Sequence, residues 1–172
     1  MERDSALMTV HKFDRDANVS YATLMREAFE AAVKLARVME RELGEEKAHE
    51  ILYMSRVEGD LAMIAGQMKE QPPIQTFAEF KKLMKGLHEN QFARNLFTIT
   101  YPVDNDHEIE FRTTECILAK VFREMGAEDL GEIMCCKPDF DTTPAYCGRV
   151  SLKRTKSLMK GDAYCDTKYC WK

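Results

Sequence analysis

The chain has 172 residues, enough for one domain with its own core, and a composition of 45% apolar and 31% charged residues excludes a disordered chain, a collagen repeat or a coiled-coil rod. A net charge of −4 argues against a general nucleic-acid binder, which needs a basic stripe to neutralise phosphates. No apolar run approaches the length of a membrane span, and the start, Met1 to Met8, has no apolar signal-peptide core, so a cytoplasmic setting with reduced thiols is expected.

Residues 1–17 are polar and read as an arm. From Ser20 the pattern is helical, with Leu24, Ala28, Ala31, Leu35, Val38 and Met39 on one face, and Gly44 closing the helix. A second helix runs over about 45–69, with Ile51, Leu52, Leu61, Ile64, Ala65 and Met68 as its apolar positions, until Pro72-Pro73 stops it. Thr76-Phe-Ala-Glu79 is a capping box opening a third helix, which carries Phe77, Phe80, Met84 and Leu87 on one side.

The period then changes to two. Leu96–Tyr101 and Glu108–Arg112 read as strands joined by a turn over 102–106, with Ile109 and Phe111 facing the core. A helix follows over Thr114–Met125, then a short one over Glu128–Cys135, and residues 136–144 read as irregular. Two more strands are expected near 149–155 and 164–171. The expected class is α+β: a single domain over 18–172, helical over 18–92, with a small, mostly antiparallel sheet and helices over 93–172.

All six cysteines, Cys116, Cys135, Cys136, Cys147, Cys165 and Cys170, fall in the last third of the chain. That clustering points to a local site, because a disulfide framework would tie the whole chain together. With Thr113 as N-cap, Cys116 would sit in the first turn of a helix, where free N–H groups and the helix dipole favour thiolate. Cys116 is therefore the candidate nucleophile. The bland reading of each cysteine is a small core residue, and that of Asp139 a turn residue. The four histidines, His11, His49, His88 and His107, are distant from the cysteines in sequence and read as surface residues. The basic stretch Arg149–Lys160 lacks interleaved aromatics and reads as a solvated strand face or a carboxylate-binding edge.

Cys116 opening a helix, then Cys136-Lys-Pro-Asp139, then Thr155-Lys-Ser-Leu158, Gly161 and Cys165, form an ordered set that resembles the L-2-amino-thiazoline-4-carboxylic acid hydrolase family over roughly residues 96–170. The resemblance implies hydrolytic opening of a small cyclic amidine or thiazoline ring. Cys116, Cys136, Asp139 and Cys165 are the positions it singles out for catalysis. The chain departs from the pattern at Asp166-Thr167 and by adding Cys135, Cys147 and Cys170. On this reading the partner is a small-molecule substrate, with no cofactor or metal and neither nucleic acid nor membrane. Asp139 serves as general acid or base, and Cys165 completes the pocket. Arg112 and Arg154 are candidates for a substrate carboxylate, with Thr155 beside them.

Two other readings stand next to this one. Cys116, Cys136 and Cys165, with Asp139, make an adequate donor set for zinc. Alternatively, the fold is kept as a ligand-binding module or redox sensor without turnover. The long N-terminal helices either cover the sheet or offer a face to a second copy in a homodimer, and the sequence does not choose between these.

Overall fold

A computed structural model describes residues 19–172. The arm expected over 1–17 lies outside the described residues. Two long helices, α1 (Tyr21–Leu43) and α2 (Glu45–Met68), form a hairpin about Gly44, whose φ of 84° is open to glycine but strained for other residues. Helix α3 (Phe77–Glu89) starts at the expected capping box: the Glu79 N–H donates to Thr76 Oγ1 at 3.3 Å and the Thr76 N–H to Glu79 Oε2 at 2.9 Å. The short helix α4 (Gln91–Leu96), capped by Asn90, was not expected from periodicity.

Strands β1 (Phe97–Asp104) and β2 (Glu108–Cys116) form a hairpin. Helices α5 (Ile117–Glu124) and α6 (Glu128–Gly131) follow, then a π-helical turn, Glu132–Cys136. Residues 138–146, expected to be irregular, form helix α7 (Pro138–Tyr146). Pro138 suits the first turn, where its missing N–H is no loss, and Pro144 falls in the last. Strands β3 (Val150–Lys153) and β4 (Cys165–Trp171) complete a four-stranded sheet of order β1-β2-β4-β3, antiparallel at every pairing. The architecture is α+β.

In β2 and β4 the register pairs Ile109 with Tyr169, Phe111 with Thr167 and Thr113 with Cys165, so these six residues share one face. Helix α3 lays Phe77, Phe80 and Met84 on that face against Ile109, Phe111, Val150 and Tyr169. A second core joins Val33 and Ala36 of α1 to Ala119 and Phe122 of α5, with Ala127, Leu130 and Met159. The apolar face expected of α1 does not enter either core: Leu24, Ala28, Ala31, Leu35 and Val38 are exposed, and the helix buries Val33 and Ala36 instead. Ile51, Met54 and Leu61 of α2 are also exposed. No described helix is long and apolar enough to cross a membrane.

Candidate functional site

A cavity of about 360 Å³ lies where the two cores meet, bounded by α2, α3, α7, the π-helical turn and the sheet. The volume suits a small metabolite. Four of the six thiols line it: Cys116, Cys135, Cys136 and Cys165. All six cysteines are free.

Cys116 is itself the N-cap of α5, not a first-turn residue, because β2 runs on through Thr113 to Cys116. Its Sγ accepts the Ala119 N–H at 3.4 Å. These N–H groups pull the thiol pKa down, but burial is the larger effect and pushes it above the ordinary value. The thiolate expected from the helix start is thus not the resting form. Burial also drives up Cys135, to about 12, as well as Cys136 and Cys165. Cys165 Sγ accepts the Leu158 N–H at 3.2 Å. The π-helical turn brings the adjacent Cys135 and Cys136 to the same wall, closed by the Lys137 N–H on the Glu132 carbonyl at 2.8 Å.

Asp139 sits in the first turn of α7, not in a loop. Arg154, just beyond β3, donates from Nη2 to Asp139 Oδ2 at 2.6 Å, from Nη1 to the Cys136 carbonyl at 3.0 Å and from Nε to Thr167 Oγ1 at 2.8 Å. The Arg154 side chain is 11% exposed and that of Asp139 45%, but the open surface of Asp139 lines the cavity, deep among protein atoms. Burial accordingly raises the Asp139 pKa, and the neighbouring Arg154 only partly offsets it.

The other two carried-over residues lie away from the cavity wall. Arg112 is on the opposite face of β2, where it donates to Glu110 Oε1 at 2.7 and 2.9 Å and stacks over Tyr164. Thr155 donates its N–H to Asp166 Oδ1 at 2.8 Å, and the Lys156 N–H reaches the same oxygen, so Asp166 organises the loop after β3.

Three charged or titratable residues of the N-terminal helices join the cavity without having been singled out in the sequence. Arg56 and Asp60 of α2 form a two-point ion pair at 2.9 and 3.0 Å in its wall. His88 of α3, expected at the surface, packs edge-on against Phe111 at 4.4 Å between ring centroids. Its Nδ1 is buried without a partner among the described residues, and burial lowers its pKa to about 4, so the ring is neutral near pH 7. The spacing offered signals for all three. His88 follows the buried Met84 by four residues, and Arg56 and Asp60 precede the buried Ile64 by eight and four.

The thiols do not converge as a metal shell would require. Among the described residues, Glu40, His49 and Asp129 are the one group of three potential ligands whose atoms lie within 4.8 Å of one another. Arg37 already neutralises that cluster, donating to both oxygens of Asp129 at 2.8 Å and to Glu40 at 2.9 Å.

A family model described as L-2-amino-thiazoline-4-carboxylic acid hydrolase matches residues 21–169 of the chain. No curated protein sequence matches it significantly. Among solved structures, the chain is similar to the crystal structure of the phenol-responsive sensory domain of the transcription activator PoxR with phenol. The two are 18% identical, with a TM-score of 0.46, over 82% of this chain and 73% of that one.

Proposed function

The chain belongs to the L-2-amino-thiazoline-4-carboxylic acid hydrolase family, and from that premise we propose that it hydrolyses a small cyclic amidine or thiazoline by cysteine-dependent chemistry in the cavity between its two cores. The observation that carries the proposal is the gathering of Cys116, Cys165, Asp139 and Arg154 on one cavity of metabolite size.

Each residue has a chemical role in this reading. Cys116 is the nucleophile. Its proton is lost to a base in the cavity when substrate displaces water, and the Asp139 carboxylate, with its pKa raised by burial, takes it. The sulfur adds to the ring carbon flanked by nitrogen and sulfur. The ring opens, its leaving atom taking that proton from Asp139. Water then displaces the enzyme sulfur, one of its protons passing through the Asp139 carboxylate to the sulfur to restore the thiol and the other staying on the product. The raised pKa of Asp139 suits these proton transfers. Arg154 uses one N–H from each of its three nitrogens on the protein. The guanidinium carries five, so two remain for a substrate carboxylate. Cys136 and Cys165 complete the wall around the ring.

The raised pKa of Cys116 favours one second reading, a cavity that binds a small ligand without turning it over. The two separate on incubation with L-2-amino-thiazoline-4-carboxylate. Hydrolysis adds one water to the ligand mass, and Cys116→Ser abolishes it. A thermal shift on adding the ligand, with its mass unchanged, assigns the cavity to binding alone and sinks the hydrolase proposal.

A further inference from the structure

Helix α1 is apolar around more of its circumference than the fold uses. Val33 and Ala36 are buried in the core. Leu24, Ala28, Ala31, Leu35 and Val38 recur at alternating steps of four and three residues, roughly 150° around the helix from the buried pair. Leu35 is 58% exposed, Val38 42% and Leu24 38%. The stripe runs about 21 Å along the helix. Alternating four- and three-residue spacing is the pattern of a helix seam that packs against another helix.

The order of residue sizes along the stripe identifies the partner. After Leu24 at its N-terminal end, the stripe is small at Ala28 and Ala31 and large at Leu35 and Val38. A parallel copy would set alanine against alanine and leave a gap. An antiparallel copy sets Ala31 against Leu35 and Ala28 against Val38, each small residue receiving a large one. The flanking charges agree. In that register Glu27 of one copy lies beside Arg41 of the other, twice by symmetry, and Lys34 meets its own equivalent at the axis. Lys34 is already neutralised by Glu30 at 2.6 Å, while Arg41 is exposed and, among the described residues, held only by its neighbour Glu42. A parallel pairing would bring none of these opposite charges together.

We propose that the outer face of α1 is the interface of a homodimer in which two copies of this helix pack antiparallel about a two-fold axis, Ala28 and Ala31 of each receiving Val38 and Leu35 of the other. This is an isologous contact, so it closes at two copies. It does not depend on the hydrolase reading, because the face lies outside the cavity.

Sedimentation equilibrium of the full chain tests it. The wild type is expected to be a dimer, and Leu35→Glu to weaken association at least about tenfold while the far-UV circular dichroism is unchanged, because the residue is exposed within its own chain. The charge pair tests the register. Glu27→Arg alone weakens the dimer, and Glu27→Arg combined with Arg41→Glu restores it. A monomeric wild type at every concentration overturns the proposal, as does a dimer indifferent to Leu35→Glu. A dimer weakened by Glu27→Arg but not restored by the second change overturns the antiparallel arrangement.

Discussion

Arg154 and Asp139 meet in the cavity wall at 2.6 Å, joining the loop after β3 to the first turn of α7. The same guanidinium holds the Cys136 carbonyl and Thr167, so one side chain ties three elements around the cavity. Removing it with Arg154→Met leaves Asp139 without its cation. A broken buried pair costs roughly 3–5 kcal/mol, and the openness of Asp139 to the cavity reduces this to about 2 kcal/mol. Urea unfolding measures the loss. Adding Asp139→Asn to Arg154→Met recovers part of it, because no unpaired charge then remains. If the double variant is no better than Arg154→Met, the pairing does not account for the loss.

The balance at Cys116 between helix N–H groups and burial predicts how the thiol reacts. Because burial prevails, alkylation of Cys116 in the free protein should follow an apparent pKa above the free-thiol value of about 8.5. Iodoacetamide labelling against pH, read by mass spectrometry, gives that value. A Cys116 that labels fast at neutral pH would show a resting thiolate and contradict the description of the site. Bound substrate should also protect Cys116 and Cys165 together, since both line the cavity.

The sequence was most legible where local chemistry decides the structure. The Thr76–Glu79 capping box and the strand through Ile109 and Phe111 are short-range signals and appear as expected, although Glu110 between those two is buried as well. Helix α7 was hidden because Pro138 and Pro144 break the pattern of an internal helix segment while being compatible with its two end turns. The cysteine and Asp139 motifs led to residues that share one cavity, whereas Arg112 and Thr155 fall outside it. For Arg112 the reason is the period of a strand: Phe111 and Thr113 point one way and the residue between them the other. His88, Arg56 and Asp60 reach the cavity through the packing of α2 and α3 onto the sheet, a tertiary event with only a faint helical-spacing signal. The outward turn of the α1 stripe was not legible either, since a helix with two apolar faces does not announce which one its own chain will cover.

Gly131 of α6 is packed tightly against the core. A Cβ built there would approach Met159 Sδ to 2.5 Å and Phe122 Cγ to 2.8 Å. Met159 can move its sulfur, but Phe122 is fully buried and its ring packs against Phe29 at 5.1 Å between centroids. Gly131→Ala is therefore expected to destabilise the fold by about 1–3 kcal/mol, the range for overpacking a filled core, despite alanine's better helix propensity. Chemical denaturation of the variant checks this. A neutral or stabilising outcome would mean that the core around Phe122 yields more readily than its packing implies.

His88 gives the protein a pH dependence whose sign can be worked out. The imidazole titrates near 6.5 in the unfolded chain and near 4 in the folded one, because burial disfavours the charged ring. Between those values the unfolded state binds the proton and the folded state does not, so stability falls as the solution is acidified from pH 6.5 to 4. The full effect is on the order of 3 kcal/mol. Asp139, whose pKa is raised, contributes with the opposite sign, so the wild-type profile alone mixes the two. Subtracting the profile of His88→Gln removes the Asp139 part. The difference in unfolding free energy between wild type and variant should change steadily across this window and level off above it. A flat difference would show that His88 is solvated. If the slope is present and His88→Gln also lowers kcat with little change in KM, the unpaired Nδ1 belongs to the chemistry as well as to the fold.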